Sequence, residues 1–580
     1  MEQQVDVVVV GSGAGALLTA VRAADEGLKV LVVEKAALVG GTSATSGGGI
    51  WIPDNHDMPR AGLRDSVEVA FRYVKACARG LASDERILAY VESARHMARY
   101  LADIGVPYRC VPRYADYYPG VPGALPGGRT MDPLDFNARR LGVQGLQQMR
   151  PTNPGQLIFG RMHINAFEAQ SMLAREFKSR FTLLGIMARY FLDYPWRWQT
   201  RRDRRLTGGQ ALVGGLLAAL RQRDIPLWLE SPLQSLLLEG GRVVGVAVQR
   251  EGRLQRVRAA RAVVLAAGGF ERNQAMREQY LPKPTDQAWT ATPPGANTGD
   301  AIRAGADAGA ALHLMAHSWG APTLEVPKED RFRAVFVERS LPGCMVVNRL
   351  GRRFVNESCP YPEFQQAMFA SHERGEGAVP AWIVFDADFR ARYPIGPLMP
   401  ASAVPDAKLR RSWLGTVYWK DDTLQGLARQ IGVDPEGLVA SAQRMGEFAR
   451  SGVDHDFGRG DNVFDRYYGD AHVKPNPNLA PIAKGPFYAM KLHPGDIGTK
   501  GGLLTDHDAR VLDAAGGRPI EGLYCIGNNA ASVMGPSYPG AGSTLGPAMT
   551  FGFRAVAHMA GKPMALERTD LLRQPVPEAA

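Results

Sequence analysis

Three small residues near the amino end of the chain have the spacing of a dinucleotide-binding turn. Gly11, Gly13 and Ala16 form the pattern Gly-x-Gly-x-x-Ala, and Glu34 follows about 20 residues later. Glycines at this spacing let backbone N–H groups approach a pyrophosphate, and the acid can accept hydrogen bonds from ribose hydroxyls. The pattern predicts a site for a dinucleotide, either NAD or FAD.

The residues around this turn have the pattern of a strand, a helix and a second strand. Residues 5–10 (Val-Asp-Val-Val-Val-Val) are predicted to form a buried strand, and the turn then opens a helix over 17–26 that ends at Gly27. A second buried strand over 29–33 leads directly into Glu34. This order of elements is typical of a Rossmann-like nucleotide-binding domain.

The same kind of pattern returns late in the chain. Strands are predicted over 241–248 and 261–267, and glycine-rich segments resume at 485–506 and 520–527. The residues between 320 and 485 instead mix short strands with loops rich in proline and charge. We therefore predict an α/β fold in which a Rossmann-like domain is interrupted by a second, α+β domain. The predicted boundaries are 1–319 and 486–580 for the nucleotide-binding domain, 320–485 for a catalytic and substrate domain, and about 142–206 for an insertion.

Composition excludes several classes of protein. With 580 residues, of which 45% are hydrophobic and 22% charged, the chain is neither disordered nor a coiled coil. Its five cysteines are far apart and form no CxxC pair, which favours a reducing cytoplasm, and its eleven histidines show no ligand spacing, so we predict no metal site. Residues 1–6 lack the positive charge of a signal peptide, and no apolar stretch reaches about 18 residues, so neither export nor a membrane span is expected.

Several further segments resemble the fumarate reductase/succinate dehydrogenase type of flavoprotein, whose members bind FAD in an extended cleft. They are the Gly/Ser/Thr run 40–49, Ala267-Gly-Gly269, Gly527-Asn-Asn529 and the turn Asn297-Thr-Gly-Asp300. The resemblance implies FAD as the cofactor. Covalent members of that group attach FAD through a histidine in the segment corresponding to 40–49, and since none stands there we expect noncovalent binding. The residues that we expect to bind FAD are Gly11, Ser12, Gly13, Ala14, Gly15, Ala16, Glu34, Lys35, Gly41, Thr42, Ser43, Ser46, Gly47, Gly48, Gly49, Ala267, Gly268, Asn297, Asp300, Gly527, Asn528, Asn529, Gly540 and Leu545.

The substrate motifs differ from those of the dicarboxylate enzymes in this group. Where those enzymes have His-Pro-Thr, this chain has Ala321-Pro-Thr323. Their substrate-clamping arginine is also missing, because no arginine occurs between Ala530 and Phe553. A dianion needs bidentate cationic partners. A fumarate or succinate site is therefore not expected.

The segment that stands there instead, Ala531 to Gly542, closely resembles the 3-ketosteroid Δ1-dehydrogenases. The resemblance extends over nearly the whole chain apart from about 142–206. Its motifs are Gly11–Ala16, Gly40–Trp51, Asp116-Tyr-Tyr118, Gly295–Asp300, Asn356-Glu-Ser-Cys-Pro-Tyr361, Gly485-Pro-Phe-Tyr488, Asp496–Gly502 and Tyr538-Pro-Gly-Ala-Gly542.

This resemblance implies a catalytic set made mainly of tyrosines. Tyr538 and the Gly542 backbone N–H would hold the C3 carbonyl, and Tyr361 would act as the base at C2, assisted by Tyr117. Since Tyr118 is its neighbour, the assisting residue could be one position later. A free tyrosine has a pKa of about 10, so we expect the pKa of Tyr361 to be depressed or its proton to be relayed through Tyr117.

The implied reaction is the FAD-dependent 1,2-dehydrogenation of a 3-ketosteroid. The proton leaves C2, the hydride from C1 passes to flavin N5, and a 1,4-diene results. A dehydrogenase that acts at Δ4 of a 5α-steroid and a flavin-containing steroid-binding protein without catalysis remain as alternatives. Cys359, two residues before Tyr361, has no neighbouring histidine in sequence, which disfavours a nucleophilic thiol.

The positive charge is concentrated in one segment. Of the net charge of +10, residues 171–205 carry +6, from nine bases and three acids interleaved with seven aromatic residues, and the other 545 residues carry +4. On a helical wheel, Leu183, Leu184, Met187, Ala188, Tyr190, Phe191 and Tyr194 fill one half, and Pro195 is expected to stop the helix. We favour contact with a membrane surface over packing on the protein itself, and nucleic-acid binding is not expected. A peripheral, bacterial-type enzyme on the cytoplasmic side of a membrane, with a quinone or another electron acceptor, follows from this expectation.

Overall fold

A computed structural model describes residues 3–173 and 179–573 of the chain. The described part contains two large sheets, helices that cover them, and three small strand pairs or triplets. The predicted surface segment is therefore described only in part, because Arg175, Glu176, Phe177 and Lys178 lie outside the described residues.

Strands occur from the first described residue to residue 525. In chain order they are β1 (Gln3–Val10), β2 (Val30–Val33), β3 (Ile50–Trp51), β4 (Tyr108–Cys110), β5 (Thr130–Pro133), β6 (Phe136–Asn137), β7 (Arg205–Leu206), β8 (Leu227–Trp228), β9 (Leu233–Glu239), β10 (Arg242–Arg250), β11 (Arg253–Leu265), β12 (Leu312–His313), β13 (Ser318–Leu324), β14 (Arg333–Ala334), β15 (Cys344–Val347), β16 (Ala381–Phe385), β17 (Trp419–Asp421), β18 (Phe487–Thr499), β19 (Gly502–Leu503), β20 (Arg510–Leu512) and β21 (Pro519–Cys525).

The helices alternate with these strands. They are α1 (Ala14–Asp25), α2 (Val67–Ala78), α3 (Asp84–Asp103), α4 (Gly142–Gln148), α5 (Ala166–Leu173), α6 (Ser179–Phe191), α7 (Tyr194–Arg197), α8 (Gly208–Arg221), α9 (Gln274–Tyr280), α10 (Asp300–Asp307), α11 (Tyr361–Glu373), α12 (Ala387–Arg392), α13 (Leu424–Ile431), α14 (Pro435–Ser451), α15 (Val463–Tyr467) and α16 (Leu545–Met559).

The first sheet is the predicted Rossmann-like core. Its strand order is β20-β21-β11-β1-β2-β8, with β10 and β9 continuing as antiparallel neighbours of β11. Strands β21, β11, β1, β2 and β8 run parallel to one another. The apolar run of β2 and the last four residues of β1, Val7 to Val10, are fully buried, as expected for inner strands of a parallel sheet that is covered on both faces. The predicted α/β class is confirmed.

Helices α1 and α16 pack on this sheet from the two ends of the chain. They touch at Gly15, where an added Cβ would lie 2.9 Å from the Ala548 carbonyl oxygen. Only a residue without a side chain permits so close an approach. The N-termini of both helices are thereby brought to the same side of the fold.

The second sheet is antiparallel and has the order β14-β13-β18-β16-β15, with β17 also paired to β18. Most of its strands come from the predicted interrupting domain. Strand β18 lies after that domain in sequence, yet it pairs with β13, β16 and β17. The sheet therefore continues past the predicted boundary at residue 485. Because β18 is 13 residues long, one half can pair with β13 while the other half pairs with β16 and β17. The division of the chain into these domains stays a prediction.

The predicted insertion contains α4, α5, α6 and α7. Helix α6 ends at Phe191, before Pro195, which lies in the first turn of α7. Ile186 and Tyr190 are buried against Met162, whereas Phe181, Leu184 and Phe191 are more than half exposed. The helical wheel predicted one apolar half but could not tell which of its residues the chain itself covers. Among the described residues, none of the helices is both long and apolar enough to span a bilayer.

Acidification is expected to loosen the insertion through His163. Its backbone N–H donates to Asp203 and its ring lies 3.3 Å from the Thr207 hydroxyl, and burial lowers its pKa from 6.5 to about 3. Between these two values the unfolded chain binds a proton that the folded chain excludes, so stability falls as the pH drops below 6.5, by about 1.4 kcal/mol per pH unit at most. Between pH 7.5 and 5.5, the free energy of unfolding measured in urea should fall by roughly 1 kcal/mol more in wild type than in His163→Gln. Equal losses in the two proteins would contradict this assignment.

Candidate active site

The residues predicted to bind FAD collect along one edge of the first sheet. Strands β1, β2, β11 and β21 are parallel, and each is followed by one of the predicted segments. Because parallel strands end at the same edge, segments that are far apart in sequence meet there. The four segments are Gly11–Ala16, Glu34–Lys35, Ala267–Gly268 and Gly527–Asn529.

Two glycines allow the backbone turns of this edge to approach each other. Gly11 has φ +112°, and an added Cβ would lie 2.4 Å from the Ala266 carbonyl oxygen. Gly268 has φ +86°, and its Cβ would lie 2.3 Å from Oδ1 of Asn297. The N-cap residue of α1 is Gly13, which has no side chain that could cap the helix. A helix start whose own cap residue carries no side chain fits the pyrophosphate of a dinucleotide.

Glu34 is held at the end of β2. Its Oε2 accepts a hydrogen bond from the Ser12 hydroxyl at 2.6 Å, and its Oε1 accepts one from the Ala36 backbone N–H at 2.8 Å. Each carboxylate oxygen has a further lone pair. The fixed carboxylate can therefore still accept hydrogen bonds from ribose hydroxyls.

Lys35 and Asp300 form an ion pair across the same edge. Lys35 Nζ lies 2.7 Å from Asp300 Oδ2. Partial burial alone would raise the pKa of Asp300, but the hydrogen bond and the charge of Lys35 outweigh it and lower that pKa. The pair joins the turn after β2 to the start of α10. Lys35 and Asp300, both predicted to bind the cofactor, thus form an ion pair that fixes the two segments relative to each other.

A buried amide network joins two other predicted segments. Asn297 Nδ2 donates to the Thr42 hydroxyl at 2.8 Å and to Glu271 Oε1 at 2.6 Å, and Asn529 Nδ2 donates to the Gly268 carbonyl at 2.6 Å. Burial raises the pKa of Glu271 to about 7. Sequence reasoning missed Glu271, because one acid after a glycine turn carries no distinctive signal.

The remaining predicted cofactor residues lie in two neighbouring turns. Ser43 Oγ accepts a hydrogen bond from the Ala14 N–H at the start of α1, at 3.0 Å. The Ser46 hydroxyl accepts one from the Gly48 N–H at 3.1 Å. Gly41, Gly47 and Gly49 belong to this first turn. Asn528 accepts a hydrogen bond from Trp319. Leu545 is the first residue of α16, and Gly540 lies in the loop before it.

Three of the predicted catalytic residues form a compact cluster. The hydroxyl oxygens of Tyr117 and Tyr361 are 2.6 Å apart. The ring of Tyr538 lies 5.1 Å from that of Tyr361 and 5.4 Å from that of Tyr117, measured between centroids. The three side chains are at most 9% exposed. Residues separated by more than 400 positions are thus brought into one dry site.

Different elements position these tyrosines. Tyr361 is the first residue of α11, directly after Pro360, and Tyr538 lies in the loop before α16. The Tyr117 backbone N–H donates to the Pro539 carbonyl at 2.9 Å, which ties the two loops together. Gly542 has φ +100°, and an added Cβ would lie 2.4 Å from the Ile50 backbone, so only glycine fits there.

Burial dominates the electrostatics of the cluster. It raises the pKa of Tyr361 and of Tyr117 well above the ordinary value of 10. It also raises the pKa of Tyr538, against the opposing effect of hydrogen bonds from Thr544, Tyr361 and the Gly542 N–H. Of the two expectations for Tyr361, a depressed pKa is wrong in this structure, because no cation of the described residues contacts its hydroxyl and the phenolate would be desolvated. A relay through Tyr117 is left.

Tyr118 does not contact Tyr361 but supports Tyr538. Its hydroxyl donates to Glu363 Oε1 at 2.7 Å and accepts from the Tyr538 backbone N–H at 3.0 Å. Lys500 Nζ donates to the Ser537 carbonyl at 2.6 Å, and burial lowers its pKa to about 7. Glu363 and Lys500 are residues that sequence reasoning missed, although Lys500 lies within a recognised motif and Glu363 lies two residues after one.

The described residues were also compared with the expectations for metal binding and for the cysteines. Within ranges 3–173 and 179–573 no group of three or more His, Cys, Asp or Glu side chains is arranged to bind a metal ion. All five cysteines are free. Burial raises the pKa of the Cys359 thiol, so the thiolate form that a nucleophilic cysteine needs is disfavoured.

Comparison with known proteins gives concordant matches. Residues 6–545 match the FAD binding domain family. The chain is 57% identical to the 3-oxosteroid 1-dehydrogenase of Comamonas testosteroni, with 99% of this chain and 100% of that protein aligned, and 41% identical to that of Mycobacterium tuberculosis, with 96% and 98% aligned. The crystal structure of 3-ketosteroid Δ1-dehydrogenase from Sterolibacterium denitrificans in complex with 1,4-androstadiene-3,17-dione superposes with a TM-score of 0.94 at 55% identity, covering 96% of this chain and 100% of that one.

Proposed function

Because the chain belongs to the FAD-dependent 3-oxosteroid 1-dehydrogenases, we propose that its buried tyrosine cluster carries out the removal of hydrogen from C1 and C2 of a 3-ketosteroid. The product of a 3-oxo-Δ4-steroid is then the 3-oxo-1,4-diene. The observation that carries the residue assignment is the 2.6 Å contact between the Tyr117 and Tyr361 hydroxyls beside the ring of Tyr538.

Tyr538 and Gly542 are proposed to hold the C3 carbonyl oxygen of the steroid. Gly542 follows Tyr538 by four positions in the loop before α16, and its N–H acts to lower the pKa of the Tyr538 hydroxyl, so the two donors are proposed to serve one substrate oxygen. Removal of a proton beside a ketone develops negative charge on that oxygen. Donors fixed in a water-excluded site stabilise such charge by about 3–4 kcal/mol each.

Tyr361 is proposed as the base at C2, and Tyr117 as the residue that accepts the phenolic proton of Tyr361. The raised pKa of Tyr361 opposes a free phenolate, so its hydroxyl must lose a proton as it gains the one from C2. The Tyr117 oxygen is within direct reach for that transfer. Tyr118 is assigned the different role of holding the Tyr538 backbone.

The residues at the edge of the first sheet fit FAD. The turn at Gly11, the start of α1, Glu34 and the Asn297 network would hold the cofactor without a covalent bond. When bound, FAD supplies the acceptor for the hydride that leaves C1. The protein's part is to hold the steroid so that C1 points toward that edge and C2 toward Tyr361.

Incubation with androst-4-ene-3,17-dione and an artificial electron acceptor tests this function. The 1,4-diene is expected as the product, identified by mass and ultraviolet spectrum. A product with a different double bond would favour the Δ4-type alternative. Steroid binding that never bleaches the flavin under anaerobic conditions would favour a binding protein without catalysis.

We propose a peripheral contact of the exposed part of α6 and α7 with an anionic membrane surface on the cytoplasmic side. Leu184, Phe191, Leu192, Tyr194 and Trp198 are between 51% and 85% exposed, which places a group of large apolar side chains on one short stretch of surface. The arginines at positions 180, 189 and 201 are exposed beside them. Apolar side chains that enter the headgroup region and cations that attract anionic lipids are the two components of interfacial binding.

Replacing the exposed apolar side chains is expected to release the enzyme from membranes. Leu184→Ser, Leu192→Ser and Trp198→Ser in one variant should lower binding to phosphatidylglycerol vesicles at least 10-fold in a sedimentation assay, because each large side chain contributes up to about 1.5–3 kcal/mol when buried. The matched control is Leu254→Ser with Leu414→Ser, two similarly exposed leucines elsewhere. Equal sedimentation of the two variants would refute this contact.

A lipid-soluble quinone is proposed as the electron acceptor. A surface contact through 171–205 would keep the enzyme at the membrane, where both a quinone and a poorly soluble steroid are concentrated. Ubiquinone-1 should reoxidise the steroid-reduced enzyme within one turnover time, monitored at the flavin absorbance. Reoxidation by dioxygen alone, with no acceleration by the quinone, would refute this choice of acceptor.

A further inference from the structure

A buried lysine holds the loop that carries Tyr538. Lys500 directly follows β18 and is 0% exposed. Its Nζ donates hydrogen bonds to two backbone carbonyls of that loop, to Ser537 at 2.6 Å and to Gly535 at 3.3 Å. Lysine is almost never fully buried unless it is paired, and here its partners are two carbonyls of one loop. The ammonium group therefore ties this loop to the end of the long strand β18.

The backbone of Tyr538 is held by a second contact, through Tyr118. The Tyr538 N–H donates to the Tyr118 hydroxyl at 3.0 Å, and that hydroxyl donates to Glu363 Oε1 at 2.7 Å. Glu363 is the third residue of α11, and Tyr361 is the first. Two consecutive hydrogen bonds thus connect the proposed donor to the C3 carbonyl with the helix that begins at the proposed base.

The ring of Tyr538 also has a contact with this group of residues. Trp319, in β13, meets it edge-on with centroids 5.1 Å apart, and Lys500 Nζ lies 4.4 Å from the centre of the Trp319 ring. A cation over the face of an indole is attracted by the ring. Lys500 therefore supports Tyr538 through the backbone of the preceding residue and through a ring that packs on its side chain.

The charges of Lys500 and Glu363 are opposite. Burial lowers the pKa of Lys500 and raises the pKa of Glu363, and the charge of each partner counteracts the shift of the other. The guanidinium group of Arg79 also lies 4.0 Å from Glu363 Oε1, but its side chain is more than half exposed, so solvent screens its charge. The attraction between Lys500 and Glu363 favours an arrangement in which both side chains keep their contacts around the loop.

We propose that Lys500 and Glu363 are positioning residues, which hold the hydroxyl of Tyr538 at a fixed distance from the proposed base. The inference rests on the proposed function, in which Tyr538 is the donor to the C3 oxygen and Tyr361 is the base at C2. Lys500 acts through the loop carbonyls, and Glu363 acts through Tyr118. Neither residue touches the steroid, and neither gains or loses a proton during turnover.

The proposed reaction requires such a fixed distance. The C3 oxygen and the C2 proton belong to adjacent carbons of one rigid ring, so the donor and the base must meet them at the same time. A displacement of about 1 Å at one of two cooperating groups can cost about 100-fold in rate. Tyr538 lies in a loop, whereas Tyr361 begins a helix, so the loop is the part that needs additional support.

Replacing Lys500 with methionine tests its part in this arrangement. Methionine is unbranched and of similar length but cannot donate to the loop carbonyls. In the FAD-loaded enzyme, Lys500→Met should slow anaerobic flavin bleaching by androst-4-ene-3,17-dione about 10- to 100-fold. The steroid concentration that gives half the maximal rate should change little. Lys75→Met is the matched control, because Lys75 is a buried lysine that binds Asp84 at 2.8 Å, and it should bleach within a few-fold of wild type.

Two substitutions of Glu363 separate its hydrogen bond from its bulk. Glu363→Gln keeps a side-chain oxygen that accepts from the Tyr118 hydroxyl, whereas Glu363→Leu removes it. The leucine variant should bleach roughly 10-fold more slowly than wild type, and the glutamine variant should stay within a few-fold. Equal rates in the two variants would overturn the role of Glu363.

A double variant shows whether Lys500 acts through Tyr538. In Tyr538→Phe the hydroxyl to be positioned is absent, so adding Lys500→Met should slow bleaching by less than about 3-fold more. A full multiplicative loss in the double variant, or wild-type bleaching in Lys500→Met, would overturn the proposal. Wild-type bleaching in Tyr538→Phe would instead show that the role assigned to Tyr538 has failed, and a wild-type enzyme that steroid does not bleach would show that the proposed function has failed.

Discussion

Replacing Tyr361 with phenylalanine is expected to lower the rate of flavin reduction by steroid by about 10²- to 10⁴-fold. The substitution removes only the oxygen that contacts Tyr117 at 2.6 Å and that is proposed to accept the C2 proton. The ring contacts with Tyr538 and Phe336 are kept, so the affinity for steroid and for FAD should change little. Stopped-flow absorbance under anaerobic conditions measures the rate, and steroid titration of the oxidised enzyme measures the affinity.

Tyr393→Phe is the control for this experiment. Tyr393 is a buried tyrosine of the second sheet's core, and its hydroxyl donates to Asp470 at 2.6 Å. Its loss tests the general effect of removing a buried phenol oxygen, and flavin reduction should stay within a few-fold of wild type. A Tyr361→Phe enzyme that reduces flavin as fast as Tyr393→Phe would show that another group is the base.

Tyr538→Phe is expected to slow flavin reduction by about 10²- to 10³-fold, the usual effect of removing one donor to a developing oxyanion. Because the Gly542 N–H remains as a donor, the largest expected loss of rate for Tyr538→Phe is smaller than the largest expected loss for Tyr361→Phe. The effect should fall on kcat more than on KM, because the donor acts mainly on charge that appears in the transition state.

The affinity for a steroid that binds but is not dehydrogenated is a second measurement of the role of Tyr538. A phenolic steroid carries a partial negative charge on the oxygen that occupies the carbonyl position, and its affinity should fall in Tyr538→Phe but not in Tyr393→Phe. Equal kcat values for Tyr538→Phe and wild type would exclude the side chain from the oxyanion pair.

The cofactor half of the site was predictable because its signals are local. Gly11, Gly13 and Glu34 lie within one βαβ unit, and the spacing of a strand, a turn and a helix predicts where the backbone N–H groups point. The fold class, FAD and the enzyme family are confirmed by the comparisons with known proteins. The individual binding and catalytic residues stay predictions, which the structure supports by bringing them together.

The tyrosine cluster was predictable only through a resemblance. Tyr117 and Tyr361 are 244 positions apart, and nothing in the sequence between them indicates a fold that brings the two hydroxyls together. The contact of Tyr114 with Tyr468 is of the same kind and lies outside the recognised motifs. Long-range contacts between single side chains depend on the whole fold, and no periodicity in a sequence reports them.

Two physical quantities were beyond the reach of sequence patterns. The pKa of Tyr361 depends on burial and on the absence of a neighbouring cation, and it is raised where a depressed value had been one of two expectations. The apolar half of α6 is partly covered, since Tyr190 is buried while Phe191 is exposed. A helical wheel shows which residues share a face but not what the rest of the chain places against it.

The central claim is that hydrogen leaves C1 and C2 of the steroid, and a single turnover of a labelled substrate tests it most directly. Androst-4-ene-3,17-dione fully deuterated at C1 and C2 is mixed anaerobically with the enzyme, and an incubation without enzyme corrects for chemical exchange. The expected product has lost one deuterium from each of these two carbons, with the C2 label released to water. Retention of all deuterium at C1 and C2 while the flavin is bleached would contradict it.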